Sequence, residues 1–509
     1  MSDAMIGALS FPALLLAIFL RVPIGLAMFL AGLIGLVLVT GDVTVPFGRL
    51  KSETYTTFSS YSLSIVPMFL LMGHFATLGG MSTALFKAAE GFLGHRKGGV
   101  AMASVGACAG FGAICGSSLA TAATMSRVAL PELRAYGYSG GFSTATLAAG
   151  GTLGILIPPS VVLVIYALLT EQNIAKLFLA AFLPGILAAV GYLIAISLYV
   201  RVNPGSAGVR ARVPYGERMR LLVDVWPVLV VFGLVVGGIY GGFFTPTEGA
   251  AVGALGTGLI ALANGGLTWA TLGESFTVTA RSTAMIFFII LGAAFYNGFL
   301  ALTGVPQGIA AWVADGGFSP WIVLILILVF YLLLGCVMDS LSMILLTIPI
   351  FWPVVQGLDF GFVTLAELHA ARAGPVVAEI EAALAAGLAP PVELAEGMLA
   401  EIKAALAQGA ELTREQARAL ELRRVNQAAV NRINQEQVAI WFGIMVLIVV
   451  EVGLITPPVG MNLFVINAMD RGTRMVDTYR AVLWFVGSDL VRVAILLAFP
   501  AITLVFIGW

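Results

Sequence analysis

Residues Ala109–Thr170 read AGFGAICGSSLATAATMSRVALPELRAYGYSGGFSTATLAAGGTLGILIPPSVVLVIYALLT. The stretch is apolar enough to lie in a bilayer, yet it is broken twice. The first break gathers Gly110, Gly112, Cys115, Gly116, Ser117 and Ser118. The second runs through Gly150, Gly151, Thr152 and Gly154 to Pro158, Pro159 and Ser160. Adjacent prolines remove backbone donors and leave carbonyls without helical partners. Such backbone survives at membrane depth only where protein or a hydrated cavity satisfies it. Free carbonyls, small hydroxyls and helix ends are also the groups that bind a cation and an anionic substrate. A packing kink is the plain alternative for either break alone, since glycine and proline are common in membrane helices.

The second half of the chain repeats the pattern. Gly335–Met343 matches Gly112–Ala120 at an offset of 223, which sets Asp339 opposite Gly116. Gly453-Leu454-Ile455-Thr456-Pro457-Pro458 matches Gly154–Pro159 at an offset of 299, so an insertion of 76 residues (299 − 223) separates the two motifs of the second copy. Paired interrupted segments in two halves point to a transporter's binding site. Isolated kinks do not explain the pairing.

These residues carry a family resemblance. GSSLATAAT (116–124), PELRAYGYS (131–139), GTLGILIPPS (151–160), TPTEGAAVGA (245–254) and GLITPPVGMNLF (453–464) resemble the large membrane (M) subunit of TRAP, tripartite ATP-independent periplasmic, transporters. The motifs stand in the family's order and span nearly the whole chain except the insertion. The resemblance implies an all-α polytopic membrane protein of the ion-transporter superfamily, working as an elevator. It implies two re-entrant hairpins and sodium as coupling ion with no other cofactor. It also implies a small membrane (Q) subunit and a periplasmic substrate-binding protein (P subunit) as partners, and a place in the bacterial inner membrane.

Composition points the same way. The chain is 60% hydrophobic and 10% charged, against roughly a quarter charged in soluble domains, and its 509 residues leave room for ten or more spans of ~20 residues. A net charge of −1 offers no basic surface for nucleic acid. The three cysteines show neither disulfide nor zinc spacing. No basic leader precedes the first apolar run, which is read as a retained helix. There is no phosphate-binding loop for ATP. The three histidines, His74, His95 and His369, form no HExxH and no serine pair, so the chain reads as a transporter and not an enzyme. A channel would also use broken helices but leaves the paired hairpins unexplained. The nearest rival is a stand-alone dicarboxylate or citrate sodium symporter of the same superfamily.

The chain divides into two inverted repeats, 1–220 and 221–509, each with a hairpin (98–136 and 321–356) and a broken helix (140–170 and 440–467). Arg21-Val22-Pro23 interrupts the first apolar run, and a polar loop carrying Arg49 and Lys51 follows. The linker 201–220 carries five arginines against one acid and reads as cytoplasmic by the positive-inside rule, as do the mouths of the first hairpin. Odd crossing numbers then place the second hairpin, and the soluble helical insertion 363–437, on the periplasmic side. Pro390-Pro391 divides that insertion into two amphipathic helices, read as a hairpin on the membrane surface, with ten acids against seven bases.

Sodium, a hard cation, needs several oxygens. The first-half candidates are Gly116, Ser117 and Ser118 against Gly151, Thr152 and Ile157. The second-half candidates are Gly335, Asp339 and Ser340 against Leu454, Ile455 and Thr456. Asp339 stands out because an intramembrane acid is costly and usually functional, although capping the second hairpin arm is a compatible role. An anionic substrate would lie between the tips, near Ser117, Ser118, Pro158 and Pro159 on one side and Ser340, Pro457 and Pro458 on the other, facing helix N-termini. Arg127 reads as an interfacial anchor. Glu451 is read as orienting the unwound loop, and Asp489 with Arg492 as a pair on one helix face.

Overall fold

Apolar runs with few charges satisfy their own backbone hydrogen bonds only as helices, and the computed structural model is all-helical. It describes residues 2–507 except 387, 393, 396, 423, 424 and 471. The first half comprises α1 (Asp3–Phe19), α2 (Ile24–Thr40), α3 (Thr44–Phe58), α4 (Ile65–Leu78), α5 (Met81–Leu93), α6 (Gly99–Cys115), α7 (Ser118–Ala135), α8 (Gly140–Leu156), α9 (Val161–Thr170), α10 (Ile174–Val202) and α11 (Tyr215–Val223). The second begins with α12 (Trp226–Tyr240), α13 (Pro246–Ala263), α14 (Trp269–Thr303), α15 (Val305–Asp315), α16 (Pro320–Gly335) and α17 (Ser340–Gln356). Then come α18 (Leu365–Ala385), α19 (Met398–Ala407), α20 (Arg414–Ala419), α21 (Gln427–Ile455), α22 (Met461–Met469), α23 (Met475–Ala498) and α24 (Ala501–Leu504).

Several sequence expectations change in detail. The segment with Arg49 and Lys51 is not a loop but the polar helix α3. Its Arg49–Glu53 pair at 3.1 Å lies one turn apart and is half-buried, a spacing that supports a helix. The break between α1 and α2 is a true interruption, with Arg21 in the left-handed region at φ 67°. Among the described residues five helices are long and apolar enough to cross a membrane, or seven if each bent pair is one span. That is fewer than the length allows, because α1, α2, α6, α16 and α17 are apolar but only 16 or 17 residues long, short of the ~20 a full span needs. Helix α23 ends at Ala498, and the single turn α24 follows it.

The chain divides into two compact units. The first, Met1–Val355 with Ile440–Gly508, holds every candidate site residue. Its centre is made by α8, in which every residue from Gly141 to Leu156 is buried, and by the apolar stretch of α21, which is wholly buried. Small residues let the helices approach closely: Gly32 of α2 lies against the backbone of Phe295 and Tyr296 in α14. Many large apolar side chains remain exposed, Leu16, Ile34, Leu255 and Leu326 each more than half, as a lipid-facing surface requires.

The second unit, Gln356–Ala439, has its own core. Ala373, Val377 and Ile380 of α18 pack with Ile402 of α19 and with Leu412, Ala417 and Leu420. His369 Nδ1 accepts the backbone N–H of Leu412 at 3.2 Å. The expected two-helix hairpin is instead one long helix, α18, and two short ones, α19 and α20, leading into α21. Gly409 turns the chain at φ 64°, and a capping box of Thr413 and Gln416 starts α20.

Candidate functional site

The first hairpin turns within two residues. Gly116 takes φ 64° and donates to the Gly112 carbonyl at 2.9 Å, a left-handed C-cap that glycine adopts at least cost. Ser117 is extended and its hydroxyl oxygen caps the Ala120 N–H of α7. Gly110, Gly112 and Cys115, read from the sequence as part of this break, are helical. Opposite lies the end of α8. Its unwound segment is only Ile157–Ser160, shorter than expected, and Gly150, Gly151, Thr152 and Gly154 stay helical. Those glycines serve close packing: a Cβ on Gly151 would meet Ala122 Cβ at 2.6 Å, and one on Gly154 the Ser117 carbonyl at 2.9 Å. Ser160 caps α9 through Leu163 N–H, so two serine-capped helix N-termini, α7 and α9, start from neighbouring turns. Gly116 sits against the Pro159 carbonyl.

The second half repeats this with one change. Tyr331 and Phe351 pack with tilted rings, centroids 5.7 Å apart, across the arms of the second hairpin, and Thr347 donates to the Tyr331 hydroxyl at 2.7 Å. Asp339 Oδ2 accepts the Ser342 N–H at 3.1 Å. Asp339 therefore occupies the capping place of Ser117, not of Gly116, because the turn from Gly335 to Asp339 is one residue shorter than that from Gly112 to Ser117. Leu454 and Ile455 close α21 and are buried, and the unwound segment is Thr456–Gly460. Gly460 donates to the Cys336 carbonyl of the tip at 3.2 Å, Thr456 Oγ1 to the Val452 carbonyl at 2.6 Å, and the Tyr479 hydroxyl to the Pro458 carbonyl at 2.5 Å. The Pro–Pro bonds of the two breaks, Pro158–Pro159 and Pro457–Pro458, are cis. The first pair is buried, while Pro457 is half-buried and Pro458 exposed.

Polar side chains tie these segments together. Ser340 donates to Glu451 Oε1 at 2.6 Å, and Ser118 faces the same carboxyl group. Thr152 and the Tyr192 hydroxyl are 2.9 Å apart; Tyr192 donates to Asp489 Oδ2 at 2.8 Å; and Asp489 pairs with Arg492 at 2.9 Å. The Asp489–Arg492 pair is the one expected from the i, i+3 spacing. Arg134, at the mouth of the first hairpin, pairs with the buried Asp470 beyond α22.

The sequence profile described as Tripartite ATP-independent periplasmic transporter, DctM component, matches residues 11–502. The chain belongs to this DctM family. Pseudomonas aeruginosa "C4-dicarboxylate TRAP transporter large permease protein DctM" is 31% identical over 90% of this chain and 89% of its own. The "Isethionate TRAP transporter permease protein DctMQ" of Oleidesulfovibrio alaskensis is 32% identical over 69% of this chain and 56% of its own. The fold resembles the solved Alcanivorax borkumensis YdaH transporter, with TM-score 0.55 and 14% identity, covering 92% of this chain and 89% of that one.

As a DctM chain it is a transport permease and not an enzyme, and a multi-pass membrane protein of a bacterial TRAP system. Sequence reading of this DctM chain missed Tyr192 and Asn462, and assigned Glu451 no contact with either tip. Tyr192 is one apolar-flanked tyrosine among twelve, and nothing in its spacing pairs it with Thr152. Asn462 is fully buried, and among the described residues neither of its side-chain polar atoms has a hydrogen-bond partner. Its position in GMNLF just after the break was the available signal.

Proposed function

We propose that this DctM chain imports a carboxylate-type organic acid, delivered by a periplasmic binding protein, in symport with sodium. One observation carries the reading most: in each half a capped hairpin tip packs against an unwound Pro–Pro segment through a glycine pair, Gly112 with Gly154 and Gly335 with Gly453. Such doubled geometry supports two inverted repeats with re-entrant hairpins, whose tips hold ions and substrate. Carbonyls of the last turns of α8 and α21 lack helical partners, and with Ser117, Ser118, Asp339, Ser340 and Thr456 they supply oxygens for sodium. The N-termini of α7, α9, α17 and α22 favour an anion between them. The substrates in the relatives' names, C4-dicarboxylates, isethionate and sialic acid, are all small organic anions. An elevator movement of one part of the bundle would expose this site alternately on the two faces.

The reading places the chain in the bacterial inner membrane with a small Q subunit and a P subunit as partners; the fused DctMQ relative supports the first. Reconstituted with both, the protein is expected to accumulate an organic acid only under an inward sodium gradient. Undiminished uptake with choline in place of sodium would sink the proposal.

A further inference from the structure

Glu451 lies in α21, three residues before Leu454, and is fully buried. Its Oε1 accepts the Ser340 hydroxyl at 2.6 Å, and Ser118 of the other hairpin faces the same group. Its Oε2 has no hydrogen-bond partner among the described residues. The charged groups that act on it are Asp489 and Arg492, both on α23. Those two compensate each other at 2.9 Å, and Asp489 is further satisfied by Tyr192 from α10. Two acids and one arginine therefore share this buried region, and with both acids ionised it carries one uncompensated negative charge. A buried carboxylate without a counter-charge is strongly disfavoured, so the arrangement calls for one further positive charge at Glu451.

We propose that the Glu451 carboxylate, with the hydroxyls of Ser118 and Ser340, holds one sodium ion at the junction of the two hairpins. Carboxylate and hydroxyl oxygens suit hard cations. A single carboxylate matches a monovalent ion, since divalent cations draw more oxygen ligands and usually more than one acid. Because Ser118 and Ser340 belong to different halves, an ion here links both tips, which neither half's own tip-and-break ion site does. The site rests on the sodium-coupled reading above and adds one ion to it, sharing the Ser118 and Ser340 hydroxyls with the tip sites.

The test is equilibrium binding of radioactive sodium to the full-length permease with its small subunit in lipid nanodiscs. Glu451→Gln keeps an acceptor for Ser340 and removes the charge. It is expected to bind one sodium fewer per permease than the wild type, with an unchanged melting temperature in sodium-free buffer. Glu451→Asp, which keeps the charge but shortens its reach, is expected to keep the number and bind several-fold more weakly. An unchanged sodium count in Glu451→Gln would overturn the site, as would loss of substrate-linked proton uptake at constant sodium count, which would make the compensating ion a proton. If Glu451→Gln does not fold, unchanged sodium affinity in Glu451→Asp overturns the site by itself. A wild-type protein that binds no sodium would overturn the sodium-coupled reading together with this site.

Discussion

Gly335 and Gly453 meet backbone to backbone: a Cβ on Gly453 would lie 2.6 Å from the Cα of Gly335. Gly112 and Gly154 meet in the same way, a Cβ on Gly112 reaching the Gly154 nitrogen at 2.9 Å. Each pair joins the first arm of a hairpin to the helix that unwinds beside its tip. The contact holds the tip within hydrogen-bonding range of the break, as Gly460 N–H to Cys336 C=O shows. Small residues at helix crossings make such approaches possible in a bilayer.

Gly453→Ala and Gly112→Ala are therefore expected to overpack the crossing, costing about 1–3 kcal/mol each, and to lower transport more than that loss of folded protein accounts for. Gly233→Ala is the control. It lies in α12 with nothing within 4 Å of its added methyl and should be neutral or gain up to ~1 kcal/mol. Thermal melts and uptake by reconstituted variants check this; equal behaviour of all three would remove the crossing's special role.

Asp339 combines a cap with a candidate ion ligand, and two substitutions separate the roles. Asp339→Asn retains an acceptor for the Ser342 N–H, so stability should hold while sodium affinity falls at least several-fold. Asp339→Ala should lose about 1 kcal/mol in addition. Sodium titrations of uptake beside melting curves provide the readout. Normal sodium affinity in Asp339→Asn would leave only the cap.

The Arg134–Asp470 pair joins the outer end of α7 to the end of α22. Asp470 is fully buried and Arg134 half-exposed, and Thr473 also donates to the acid at 2.8 Å. Arg134→Ala should cost about 1–3 kcal/mol, because it strips a buried acceptor of its main partner. Asp470→Asn in the same background should recover part of that loss. A melting temperature unmoved by Arg134→Ala would show that Thr473 alone satisfies the acid.

Sidedness of the insertion is open to labelling. Cys108, Cys115 and Cys336 are all buried, so single cysteines can be placed in a background lacking them. Gln408 is exposed and is expected to react with an impermeant maleimide in intact spheroplasts. For the basic linker Gly205 is the suitable site, exposed and open around its Cα, whereas a Cβ at Gly208 would strike the Tyr136 carbonyl. A cysteine at Gly205 should stay unlabelled until the membrane is opened. The reverse pattern would invert the topology.

Much of this site was legible along the chain because its signals are local. Paired prolines, a two-residue Gly-Ser turn and a capping acid act within a few residues of themselves, so Pro158, Ser117 and Asp339 fall at breaks as their chemistry requires. The extent of unwinding was less legible. Gly150–Gly154 look like a break in sequence, but α6 and α7 pack on that face, and glycine in a tightly packed helix permits approach rather than causing unwinding. The insertion kept its helical pattern but not its two-helix form, because a core linking α18, α19 and Leu412 depends on contacts the periodicity does not specify.

The sequence by itself determined that this is a membrane transport protein whose chain carries the same broken motif twice, since hydropathy, breaks and their recurrence are properties of residue order. The tertiary structure decided which side chains of one half answer those of the other. Glu451 between Ser118 and Ser340, and the run from Thr152 through Tyr192 to Asp489, join residues 40 to more than 300 positions apart. Such pairings arise when buried polar groups must find partners once the helices have packed, and helical spacing carries no record of them.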